Sequence, residues 1–119
     1  LGNENKIVRL HGQNQSSYVS EFGNGQKVEL VKVDDFFKNT KIDFIKMDIQ
    51  GYEMEVLKGS IETIKKNKPI LSISAYHLEE DIKNITKFIL SLNMNYKMYL
   101  VNNEGFFWDG VKIIAKVDK

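Results

Sequence analysis

The run Ile42-Asp43-Phe44-Ile45-Lys46-Met47-Asp48-Ile49-Gln50-Gly51-Tyr52-Glu53 dictates the architecture of this chain. It reads as a strand that stops at an acidic residue and turns through glycine into a helix. Residues 42–49 are short, β-branched and apolar, the pattern of a strand covered on both faces. Open α/β sheets bind ligands at the carboxyl ends of their strands, and Asp48 is expected at such an end.

The pattern continues downstream as strand, helix, strand, helix, hairpin. Residues 52–66 predict a helix with Val56, Leu57, Ile61 and Ile64 as its apolar stripe. Gly59 inside that helix costs up to about 1 kcal/mol relative to alanine, which a close helix–sheet contact would explain. Pro69 stops the helix and introduces a second parallel strand over 70–75. Residues 78–92 form the next helix, burying Ile82, Ile85, Ile89 and Leu92. Residues 96–101 and 111–117 then predict an antiparallel hairpin. Upstream, residues 27–33 read as a half-buried strand, and Asp34 and Asp35 as caps of a short helical turn. Residues 1–26 form a polar, loop-rich lead-in to the α/β part at 27–119.

At 119 residues the chain is one domain or part of one. Its net charge of +1 gives no field that would draw nucleic acid or an anionic membrane. Cysteine is absent, which excludes disulfides, thiolate metal sites and a cysteine nucleophile, and fits a reducing, cytoplasmic setting. No apolar run approaches the roughly 20 residues of a membrane span, and no signal peptide is visible. The first residue is Leu1, so the chain is expected to be processed or cut from a longer protein.

Asp48-Ile49-Gln50-Gly51-Tyr52-Glu53, followed by Leu57-Lys58-Gly59 and Lys68-Pro69, resembles the signature of the FkbM family of methyltransferases. Val33-Asp34-Asp35-Phe36, Ser74-Ala75-Tyr76-His77 and Tyr96-Lys97-Met98-Tyr99-Leu100 are similar to further family segments. The resemblance implies a Rossmann-like, S-adenosylmethionine-dependent fold whose sheet ends in an antiparallel hairpin. It also implies O-methylation of a hydroxyl on a sugar, glycolipid, glycan or macrolide natural product. The family's glycine-rich donor turn and ribose-binding acid have no counterpart here, because Gly23-Asn24-Gly25 neither follows an apolar strand nor opens a helix. The chain is therefore expected to be the C-terminal half of such a domain, binding donor weakly or not at all alone. Gln50 stands where the family most often has glutamate, which keeps hydrogen-bonding capacity and loses charge.

Asp48 and His77 are the expected catalytic residues. Both follow parallel strands, and histidine is the residue type suited to proton transfer near neutral pH. Asp48 and Gln50 are the expected donor contacts. Gln50, Tyr76 and Trp108 are the expected acceptor contacts, although hairpin or core packing is the default for Tyr76, Phe106, Phe107 and Trp108. The alternative reading of Asp48 is a cap of its helix, and that of His77 a cap of the next one. Glu53 is expected to complement the helix dipole rather than touch substrate, and His11 to be a surface residue. Asp48 and His77 are too few for a metal, since catalytic zinc needs three protein ligands, so no metal is expected. Two other readings stand beside the enzyme. One is a non-catalytic remnant that associates, as a homodimer, through an exposed sheet edge. The other is a small α/β regulatory domain without methyl chemistry.

Overall fold

The computed structural model describes residues 1–12, 17–102 and 110–118. The first three strands are β1 (Lys6–His11), β2 (Tyr18–Ser20) and β3 (Gln26–Leu30). They form an antiparallel sheet in the order β2-β1-β3, with Val8 opposite Val28. Two of these strands lie in the segment that reads as a polar lead-in. Most residues of this small sheet are exposed, and Val8 and Leu30 are its buried contributions.

The helix α1 (Val33–Phe36) links this sheet to the second one. That sheet holds β4 (Phe44–Met47), β5 (Ile70–Ser74), β6 (Lys97–Asn102) and β7 (Val111–Lys116) in the order β4-β5-β7-β6. The pair β4 and β5 is parallel, with Ile45 opposite Leu71, and β6 and β7 form the expected antiparallel hairpin. The helices α2 (Glu53–Lys58), α3 (Ile61–Asn67) and α4 (Asp81–Ser91) complete the fold. Leu57, Ile64, Leu71, Ile73, Ile85 and Ile89 form the centre of one core, each with almost no solvent exposure. None of the helices among the described residues is long and apolar enough to cross a membrane.

Four expectations are corrected. The strand at 44–47 is not covered on both faces: Met47 is buried and Ile45 partly so, but Phe44 and Lys46 are exposed. The cause is position, since β4 is the end strand of its sheet among the described residues. The single helix over 52–66 is two helices, broken at Gly59 and Ser60. Here the N-terminal segment crosses so closely that a Cβ on Gly59 would lie 1.9 Å from the Gly2 carbonyl oxygen. The close contact expected of Gly59 is thus with the N-terminal backbone rather than with the sheet. The Asp34 carboxylate accepts the N–H groups of Glu62 and Thr63 at 3.1 and 2.8 Å, giving α3 an N-terminal cap from a distant part of the chain. The last helix starts later than the periodicity suggests, because Asp81 accepts the Leu78 N–H at 2.8 Å and closes a turn ahead of it.

Candidate active site

The parallel register of β4 and β5 carries Asp48 and His77 to the same end of the sheet. After Met47 the chain reverses through Gln50 and Gly51, at φ of 59° and 92°. Glycine suits that left-handed position, and a Cβ there would already touch Leu78 at 3.4 Å. The reversal lays the start of α2 against the residues that follow β5.

Asp48 and His77 meet, with Asp48 Oδ1 3.4 Å from His77 Nε2. The Tyr76 hydroxyl donates to the same Asp48 oxygen at 3.2 Å, and the Tyr76 and His77 rings stand 4.1 Å apart. Tyr76 therefore holds Asp48 in place. The Asp48 side chain keeps 43% of its exposure and the His77 side chain only 8%. Gln50 is exposed at the turn. Trp108, with Phe106 and Phe107, lies outside the described residues.

The residue that sequence reasoning placed elsewhere is Glu53. It sits in the first turn of α2, as the dipole argument requires, yet it is fully buried. Its Oε1 accepts the Ile49 N–H at 2.9 Å and stands 3.0 Å from His77 Nδ1. Helical Cβ atoms tilt toward the helix N-terminus, so a first-turn side chain after a tight strand–helix turn points back at the strand end. That signal was present in the sequence. Asp48, Glu53 and His77 each place one ligand-type atom within 4.8 Å of the other two. His11 belongs to the other sheet, where it contacts the Phe22 carbonyl at 2.8 Å and stacks on Tyr18.

Such a site can hold and polarise a hydroxyl, with an exposed carboxylate at its mouth and a buried imidazole behind it. Comparison with known proteins gives this chemistry a context. Residues 4–98 match the methyltransferase FkbM domain family. The crystal structure of methyltransferase FkbM from Methylobacillus flagellatus KT is similar, with 35% identity and a TM-score of 0.66 over 74% of this chain. The similar region spans 23% of that protein's chain. No curated protein matches. The match over most of the sequence and the likeness in fold agree, and the chain belongs to the methyltransferase FkbM domain family.

Proposed function

We propose that this chain is the C-terminal half of a Rossmann-like, S-adenosylmethionine-dependent O-methyltransferase domain. The observation that carries the reading is the meeting of Asp48 and His77 at 3.4 Å, at the ends of adjacent parallel strands. Ligand sites of open α/β sheets form at such ends. A hydroxyl acceptor must be oriented and must lose its proton, and these two side chains are the polar groups placed to act on it. The acceptor class is a sugar, glycan or natural-product hydroxyl, with Gln50, Tyr76 and Trp108 as its contacts.

The residues of this chain fit one edge of the methyl donor. Asp48 and Gln50 are both exposed at the turn after β4, offering a carboxylate and an amide to its amino-acid end. Gly23 and Gly25 lie in the connection between β2 and β3, the two strands that flank β1 in its antiparallel sheet, a setting unlike a strand-to-helix donor turn. When bound, the donor supplies an electrophilic methyl group on a sulfonium.

The test is labelled methyl transfer by the longest chain that carries this sequence. Asp48→Asn and His77→Ala should each lower kcat/KM by about 10² to 10⁴, the usual range for lost proton-transfer groups. Undiminished transfer by both variants would remove the assignment.

A second reading rests on a separate observation. The end strand β4 exposes Phe44 at 55% and Ile49 lies exposed just beyond it, so this edge suits pairing with another strand. On that reading the chain associates with a second copy of itself without methyl chemistry.

A further inference from the structure

We propose that Asp48, Glu53 and His77 form a binding site for one divalent first-row transition-metal ion, of the Mn²⁺ or Zn²⁺ kind. The ion site stands on the geometry alone, whereas its use on an acceptor hydroxyl rests on the methyltransferase reading.

The three side chains come close to coordination distance. One oxygen from each carboxylate and one ring nitrogen lie within 4.8 Å of one another. Metal bonds of about 2.0–2.2 Å keep bound atoms within roughly 4.4 Å of each other, so a small contraction closes the site. The arrangement is not explained by hydrogen bonds. Glu53 Oε1 is 3.0 Å from His77 Nδ1, yet neither ring nitrogen makes a hydrogen bond of acceptable direction. Glu53 Oε2 is buried and has no donor. A buried carboxylate oxygen without a partner is costly, and two carboxylates this close repel each other. A cation answers the orphan oxygen, one of the two unused ring nitrogens and the repulsion together.

The surroundings also suit a metal. The Ile49 N–H on Glu53 Oε1 and the Tyr76 hydroxyl on Asp48 Oδ1 hold the two carboxylates from behind. Outer hydrogen bonds of this kind orient metal ligands. Mixed carboxylate and imidazole donors favour manganese, iron or zinc over magnesium or calcium, which prefer all-oxygen sets. Three protein ligands leave a coordination position open, and the exposed side of Asp48 is where it faces solvent. An acceptor oxygen in that position is acidified by the ion. His77 then serves as a ligand, and the hydroxyl proton leaves to solvent past Asp48.

The test is calorimetric titration of the metal-stripped 119-residue chain with Mn²⁺ and with Zn²⁺, without donor or acceptor. One ion per chain is expected, with at least tenfold weaker binding in Asp48→Asn and in Glu53→Gln. Circular dichroism checks that each variant is folded. Should Glu53→Gln fail to fold, Asp48→Asn, at a more exposed position, carries the test. His11→Ala, in the other sheet, should bind as the unaltered chain does. No binding at millimolar ion overturns the site, as does equal affinity in Asp48→Asn. Ion binding by this chain together with inactive transfer by the longest chain that carries it overturns only the methyltransferase reading. Active transfer with no ion binding overturns only the site.

Discussion

Tyr96 shows how one buried polar atom ties the hairpin to the parallel strands. Its hydroxyl donates to the Pro69 carbonyl at 2.8 Å, just before β5, and the residue is 8% exposed. Burial pushes its phenol up to about 12, from the usual value of 10.0. The folded state therefore keeps a proton that the unfolded state loses first, so stability falls as pH rises through that interval. Tyr96→Phe should cost about 1 kcal/mol near pH 8, since it leaves the Pro69 carbonyl without its donor. The gap between the two proteins should narrow between pH 10 and 12. Urea unfolding at three pH values measures both effects, and a gap independent of pH would contradict the burial argument. At this scale the sequence was legible where a residue's role follows from its place on an element. The placement of Asp48 and His77 at one end of the sheet is legible because strand ends follow from apolar runs. The burial of Glu53 against His77 is not legible, because dipole complementarity and burial require the same first-turn position. Only the tightness of the Gln50–Gly51 reversal separates them.

Gly59 decides where one helix becomes two. Its φ of −82° is ordinary, so the demand for glycine is steric rather than conformational. A methyl group there meets the Gly2 carbonyl oxygen at 1.9 Å and the Asn3 Cα at 3.3 Å. Gly59→Ala should destabilise by about 1–3 kcal/mol, the cost of forcing atoms into a packed contact. Removing residues 1–3 should abolish most of that cost, because the opposing backbone is then gone. A double-mutant cycle by urea unfolding reads the coupling, and additivity of the two changes would place the strain elsewhere. The period of apolar residues alone could not reveal the break. Val56, Leu57, Ile61 and Ile64 keep a helical spacing across it, and Val56 and Leu57 of α2 and Ile64 of α3 enter the same core. What interrupts them is a carboxylate from Asp34 and a backbone crossing from Gly2, both distant in sequence. The succession of elements from β4 onward, by contrast, is legible, since those strands carry their own apolar runs and a helical crossover suits parallel β4 and β5, whereas the insertion of β7 beside β5 and the small first sheet leave no such signal.

The whole molecule divides its sheet edges unequally. In the second sheet, β5 has strands on both sides and is buried from Leu71 to Ser74, while β4 pairs only with β5 among the described residues. The exposed side of β4 adjoins an apolar groove lined by Leu1, Phe37, Ile42, Phe44, Ile45 and Met47. An open edge beside apolar surface is a template for another strand. On the second reading, the chain is expected to associate with itself as concentration rises, with two copies of β4 side by side and their Phe44 rings covered. Phe44→Lys places a charge on that edge at a position already 55% exposed, so it should leave the fold intact and weaken dimerisation at least tenfold. Multi-angle light scattering across a concentration series is the measurement. A chain that stays monomeric at millimolar concentration would show that the apolar groove closes on its own side chains. A dimer indifferent to Phe44→Lys would move the interface away from β4, toward the exposed Ile7 and Tyr18 of the first sheet. The edge, the groove and the site after Met47 share one strand. Pairing along β4 would therefore also fix the chain segment that delivers Asp48, and ion binding at Asp48, Glu53 and His77 should tighten in the dimer.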